Sequence, residues 1–256
     1  MKSTLTIVTA LFDLKRGDLN PGFQRSFDHY LECFSRLLKV DYRMVIYCDS
    51  DVEEFVWKHR SPENTRIVHR TLDDLRQFPF YDQVQKIRTN PDWYNYAGWL
   101  PDSPQAKLEL YNPLVLSKQF MLNDASLFNF WGDGKHYLWV DAGISNTIGD
   151  PTNYFDKDFE ARILPDMNKM LYLAFPYDGK HEVHGFEKNA MNSIAGKETE
   201  YVCRGGIFGG PKHIINDIND IYYGLMSDTI TQGLMGTEET LFTILSYKYP
   251  EKANIS

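Results

Sequence analysis

Trp139-Val140-Asp141-Ala142-Gly143 is the stretch of this sequence best suited to do chemistry. An apolar, β-prone run from Tyr137 to Val140 ends abruptly in a carboxylate followed by two small residues. A buried strand that delivers an acid to its C-terminal end is the usual way an open α/β sheet places charge at a ligand crevice. A basic residue there would suit a bare phosphate, whereas an aspartate suits a divalent cation or a sugar hydroxyl. Asp141 therefore reads as a ligand for a metal-chelated diphosphate, or else as a cap on the following turn. A manganese or magnesium ion bridging two phosphates needs only one or two protein carboxylates, because phosphate oxygens and water complete its octahedron. A second acid two residues on would strengthen the metal reading, but position 143 is glycine.

Five other groups of residues could act with it. Asp49 and Asp51 follow a short strand, where α/β folds recognise a nucleoside. Asp49 reads as a nucleoside contact, and Ser50 or Asp51 as the cap of the next helix. Gly205-Gly206-Ile207-Phe208-Gly209-Gly210 lacks the spacing of a phosphate-binding loop or a dinucleotide fingerprint. Gly205 and Gly206 could let the backbone approach a ligand, or the four glycines could form tight turns around a short buried strand. Thr237 is placed to cap the final helix, whose first turn carries Glu238 and Glu239. These acids either answer the helix dipole or activate and orient an acceptor hydroxyl. Lys118 and Arg25 each sit on an amphipathic helix, as solvated charges or as fixed cations for a diphosphate. His181 and His184 flank a glycine-containing loop and could supply a late metal ligand, whereas His136 and His213 read as surface residues. No Ser-His-Asp or Cys-His nucleophile signature is present.

The elements that must position these groups follow from periodicity. Leu5 to Leu11, Met44 to Tyr47, Arg66 to His69 and Met170 to Phe175 read as strands. Phe23 to Leu38, Glu53 to His59, Leu108 to Asn123, Ile214 to Met226 and Thr237 to Tyr247 read as helices. Asp73 to Gln105, broken by four prolines, reads as short helices and loops, and His181 to Lys197 as a polar, mobile segment. The β-α-β alternation predicts a mostly parallel sheet with right-handed crossovers, flanked by helices. No repeat, low-complexity tract or linker interrupts residues 1–256, which predicts a single domain.

Bulk properties exclude several classes. With 35 acids against 27 bases the net charge is −8, which opposes general polyanion binding. Three cysteines without a CxxC pair argue against a disulfide framework or a structural zinc site. The aromatic share of 14% suits both a core and a sugar-binding surface. Met1 to Phe12 carries too many threonines for a signal segment and reads as the first strand. No window reaches the ~20 apolar residues of a membrane span, so a soluble, cytoplasmic protein is expected.

Leu5-Thr6-Ile7-Val8-Thr9-Ala10-Leu11, Met44-Val45-Ile46-Tyr47-Cys48-Asp49, Asn112-Pro113-Leu114-Val115-Leu116-Ser117-Lys118, Leu138-Trp139-Val140-Asp141-Ala142-Gly143 and Gly236-Thr237-Glu238-Glu239-Thr240 occur in an order that resembles the HtrL/YibB family. The similarity runs from about Leu5 to the last helix, and the family is found in bacterial surface-polysaccharide gene clusters. More distantly, the layout is similar to GT-A glycosyltransferases. The resemblance implies a GT-A-like, Rossmann-type domain. It puts Thr9, Ala10 and Asp49 by the nucleoside of a nucleotide-sugar donor, and Lys118 near the ribose or phosphates. Asp141 would stand in the place of the first metal-binding carboxylate, and Glu238 or Glu239 would face a carbohydrate or glycolipid acceptor. The implied activity is transfer of a sugar from a nucleotide diphosphate to a hydroxyl, in surface polysaccharide or lipopolysaccharide synthesis. Two alternatives compete: a nucleotide-sugar-binding protein without transfer, and a phage-type transferase acting on a modified DNA base.

Overall fold

A computed structural model describes residues 3–179 and 181–256; Met1 and Lys2, which open the segment read as a strand, lie outside the described residues. Its centre is a seven-stranded sheet. The strands are β1 (Leu5–Leu11), β2 (Arg43–Cys48), β3 (Thr65–His69), β4 (His136–Val140), β5 (Met170–Pro176), β8 (Tyr201–Pro211) and β9 (Ala253–Ile255), in the order β3-β2-β1-β4-β8-β5-β9. β1, β2, β3 and β4 pair in parallel, as do β5 and β9, while β8 is antiparallel to both β4 and β5. One reversed strand in an otherwise parallel sheet has a direct consequence. The beginning of β8 lies at the same edge as the ends of β1 and β4.

Burial on both faces explains why the strands read as continuous apolar runs. Successive residues feed opposite cores. Val8, Val45, Tyr47, Tyr137, Trp139, Tyr172 and Phe208 face one, and Leu5, Ile7, Met44, Ile46, Leu138 and Val140 face the other. The second core is closed by the helices Phe27–Leu37 and Ser50–Trp57, and the first by Lys118–Phe128, Lys212–Thr231 and Glu238–Lys248. No helix among the described residues is long and apolar enough to cross a membrane.

Four local expectations change. The glycines from Gly205 to Gly210 lie inside β8 and none has a positive φ, so they form no turns. At Gly209 a side chain would collide with Tyr137 O and come within 2.8 Å of Leu138 Cα; here glycine permits close approach of β4 and β8. The helix read over Leu108 to Asn123 is two, Tyr111–Leu116 and Lys118–Phe128. Pro113 belongs in a first turn, where its missing N–H costs nothing, and the Ser117 hydroxyl donates back to Pro113 O at 2.6 Å. The segment from His181 to Lys197 carries regular structure. It forms a hairpin of β6 (Glu182–Val183) and β7 (Phe186–Glu187) around His184 and Gly185, both at positive φ, then the helix Lys188–Ala195. The Glu187 carboxylate caps that helix, and Met191 and Ala195 bury its apolar side. Finally, His136 is half-buried at the start of β4, its Nδ1 enclosed among described residues without a partner, so it is no surface residue.

Candidate active site

β4 stops at Val140, and the backbone N–H of Asp141 donates to Gly206 O at 2.9 Å, carrying the pairing with β8 one step further. The Asp141 side chain therefore emerges at the sheet edge, half-buried. Its Oδ1 accepts from Trp139 Nε1 at 2.7 Å. Lys118 Nζ lies 2.9 Å from Oδ1 and 3.0 Å from Oδ2. The same ammonium donates to Glu238 Oε1 at 2.7 Å and to Gly205 O at 3.2 Å, and it sits 5.9 Å from the centre of the Trp139 ring. Lys118 can reach this place because the break at Ser117 starts a new helix with Lys118 as its first residue.

Each charge in this chain is set by its neighbours. Burial works against the Lys118 ammonium, but the carboxylates of Asp141 and Glu238 outweigh it and hold the amine well above its ordinary value. Glu238 is 3% exposed, and burial pushes its carboxyl up to about 7 despite Lys118. For Glu239 burial again pushes upward, but His184, Arg204 and the Gly205 N–H together hold the carboxyl below its usual range. Its Oε1 accepts from Gly205 N at 2.8 Å, with Arg204 Nε at 3.6 Å, and its Oε2 lies 2.9 Å from His184 Nδ1. Gly205 leaves room for the Glu238 carboxyl: a Cβ there would collide with Glu238 Oε1 and lie 2.7 Å from its Cδ. Thr237 does occupy the N-cap position, but its hydroxyl turns to His184 instead of capping.

A cavity of about 430 Å³ opens in front of this chain. Ala10, Lys118, Asp141, Gly206 and Glu239 line it, joined by Arg16, Arg25 and Arg204. Of the two glutamates, Glu239 faces the cavity and Glu238 stands behind Lys118. Gly205 contributes its carbonyl and N–H to the network rather than a cavity wall. Thr9 is fully buried in β1, its hydroxyl unpartnered among the described residues. Asp49 is the cap of the helix Ser50–Trp57, accepting from Val52 N at 3.3 Å, so the cap lies one residue before Ser50 and two before Asp51. Neither Thr9 nor Asp49 lines the cavity. His181 is exposed, and its carbonyl serves Tyr96 and Lys188.

Sequence reasoning missed Arg16 and Arg204. Arg16 lies in the loop after β1, fixed by donating to Phe23 O and Tyr30 Oη, each at 2.9 Å. Arg204 directly precedes Gly205. A basic residue in the loop after a first strand, and another beside a glycine pair, were the available signals.

These residues do not fit a divalent ion held by Asp141. Both carboxylate oxygens already accept from nitrogen donors, Gly143 offers no second ligand, and His184 is committed to Glu239. Among the described residues no three His, Cys, Asp or Glu side chains gather as a metal site.

A mostly parallel sheet with one reversed strand, flanked by helices, is a GT-A-like fold. The core-mannan synthase CmsA/Ktr4 from Aspergillus fumigatus, solved in a Mn/GDP form, superimposes with a TM-score of 0.60 at 7% identity, over 99% of this chain and 73% of that one. Within that fold class the sequence itself is more specific. The chain belongs to the family described as "Bacterial protein of unknown function (HtrL_YibB)", which matches residues 3–256. Protein HtrL of Escherichia coli (strain K12) is 23% identical over 274 residues, covering all of this chain and 88% of HtrL.

Proposed function

We propose that this protein is a glycosyltransferase that moves a sugar from a nucleotide-diphosphate donor to the hydroxyl of a carbohydrate or glycolipid acceptor, in bacterial surface-polysaccharide synthesis. The observation that carries the reading is the Asp141–Lys118–Glu238 chain at the foot of a cavity ringed by Arg16, Arg25 and Arg204. In transfer, the bond from the anomeric carbon to the diphosphate oxygen breaks and a bond to the acceptor oxygen forms. The leaving diphosphate gains charge, which fixed guanidinium groups counter without reorganising. The acceptor hydroxyl loses its proton. Glu239, kept ionised at the cavity wall, accepts that hydrogen bond and guides the proton outward. Asp141, half-buried with its oxygens fixed by Lys118 and Trp139, meets the donor sugar.

A panel of nucleoside diphosphates and their sugars, read by thermal shift and then by donor hydrolysis and transfer, tests the reading, because a ligand of the native state raises the melting temperature. Asp141→Ala is expected to keep its circular dichroism spectrum and lose turnover. Full activity in that variant removes the proposal. The seating of Lys118 against Asp141, where a catalytic cation would bind, favours one second reading, a protein that binds the nucleotide sugar without transferring it. Binding without hydrolysis or transfer selects that reading. The net charge of −8 weighs against a DNA-base acceptor.

A further inference from the structure

We infer that Lys118 takes the position on Asp141 that a divalent cation would otherwise fill, so that the nucleotide-diphosphate donor binds without metal and its charge is met by arginines. The inference rests on the transferase reading above and concerns the same cavity. A divalent ion in such a site must bring its charge close to the carboxylate, and a cation already seated there opposes it. Asp141 has Lys118 against both oxygens and Trp139 against one of them, at 2.7 to 3.0 Å. Lys118 is locked in place from behind by Glu238 and by the Gly205 carbonyl. Its side chain is 9% exposed, so no other water-borne cation exchanges with it cheaply. A lysine ammonium is a compact point charge and supplies the local neutralisation an ion would give.

All three Lys118 protons are spent on protein acceptors, so a diphosphate must find its donors elsewhere. Arg204 lines the cavity with its side chain 48% exposed and only a 3.6 Å contact to Glu239, which leaves most of its fork available. Arg16 is fixed through its Nε and one Nη, and Arg25 stands on the same wall. The division of labour is therefore specific. Lys118 cancels Asp141, which would otherwise repel the diphosphate as a bare anion, and the guanidinium groups bind the phosphates.

The test is titration calorimetry of the intact protein with UDP, GDP, ADP, CDP and TDP, in EDTA and in manganese. The preferred nucleotide is expected to bind equally in both, and Arg204→Ala to weaken it about tenfold in both. Lys118→Met is expected to lose about tenfold in EDTA and to recover part of the loss in manganese, because Asp141 is then open to the ion. The double variant Lys118→Met/Glu238→Gln repeats this without leaving a buried carboxylate unpaired. Wild-type affinity that rises tenfold or more with manganese overturns the inference while leaving the transferase reading intact. So does wild-type affinity of the Lys118 variants in EDTA, and loss that manganese does not recover reduces Lys118 to a structural partner. No binding of any nucleotide in either condition sinks the transferase reading and this inference with it.

Discussion

Replacing Glu238 by glutamine separates two opposing forces on one carboxyl. Burial favours the neutral acid, while Lys118 at 2.7 Å favours the carboxylate, and burial prevails, placing the group at about 7 against an ordinary 4.5. Between those values the folded chain holds a proton that the unfolded chain has released, so this group makes stability fall as pH rises from 4.5 to about 7 and adds nothing further beyond. The full interval is worth about 3 kcal/mol at roughly 1.4 kcal/mol per pH unit, and about 2 to 3 kcal/mol of it falls between pH 5 and pH 8. Glutamine cannot titrate and resembles the neutral acid. The stability of Glu238→Gln relative to wild type should therefore improve between pH 5 and pH 8, by about 5 to 10 °C in relative melting temperature for a chain of this size. Urea or thermal melts of both proteins at several pH values give the comparison, and taking the difference cancels the titrating groups remote from Glu238. A difference that does not change with pH, or that moves in wild type's favour as pH rises, would refute the claim that burial outweighs Lys118.

Three further outcomes follow from the same geometry. Gly205→Ala forces the Glu238 carboxyl off its seat; a loss of about 1 to 3 kcal/mol in urea melts is expected, with weaker nucleotide binding in calorimetry. Phe208→Ala removes the ring stacked on Trp139 at 6.0 Å and packed on Phe242 at 4.6 Å; denaturation should show about 3 to 5 kcal/mol lost. Glu239→Gln keeps the acceptor for Gly205 N–H but discharges the partner of His184; kcat for transfer should fall at least tenfold with nucleotide affinity little changed, since the group serves the acceptor.

The strands were legible because burial on both faces forces uninterrupted apolar runs, and Asp141 was legible because it ends one of them. The pairing that gives Asp141 its meaning was not. Lys118 and Glu238 are 120 positions apart, and nothing in the spacing of either announces the other. The cap at Asp49 was assigned one or two residues late because Asp49, Ser50 and Asp51 are all competent caps, and only the backbone angle at Asp49 decides among them. The glycines of β8 were read as possible turns because glycine marks both positive φ and crowding. Here the crowding comes from Glu238 and from the β4 backbone, neither of them local. The hairpin before the helix Lys188–Ala195 was missed because two-residue strands carry no period.

The helix Glu238–Lys248 is buried for almost its whole length, so its two acids are carried on a part of the molecule that has no freedom to drift. The opposite wall of the cavity, with Asp13, Arg16 and Arg25, comes from the irregular segment between β1 and the helix Phe27–Leu37. Across related chains, changes of substrate should accumulate on that irregular side, where a new side chain disturbs no core, while the acids stay put for reasons of folding as much as of chemistry.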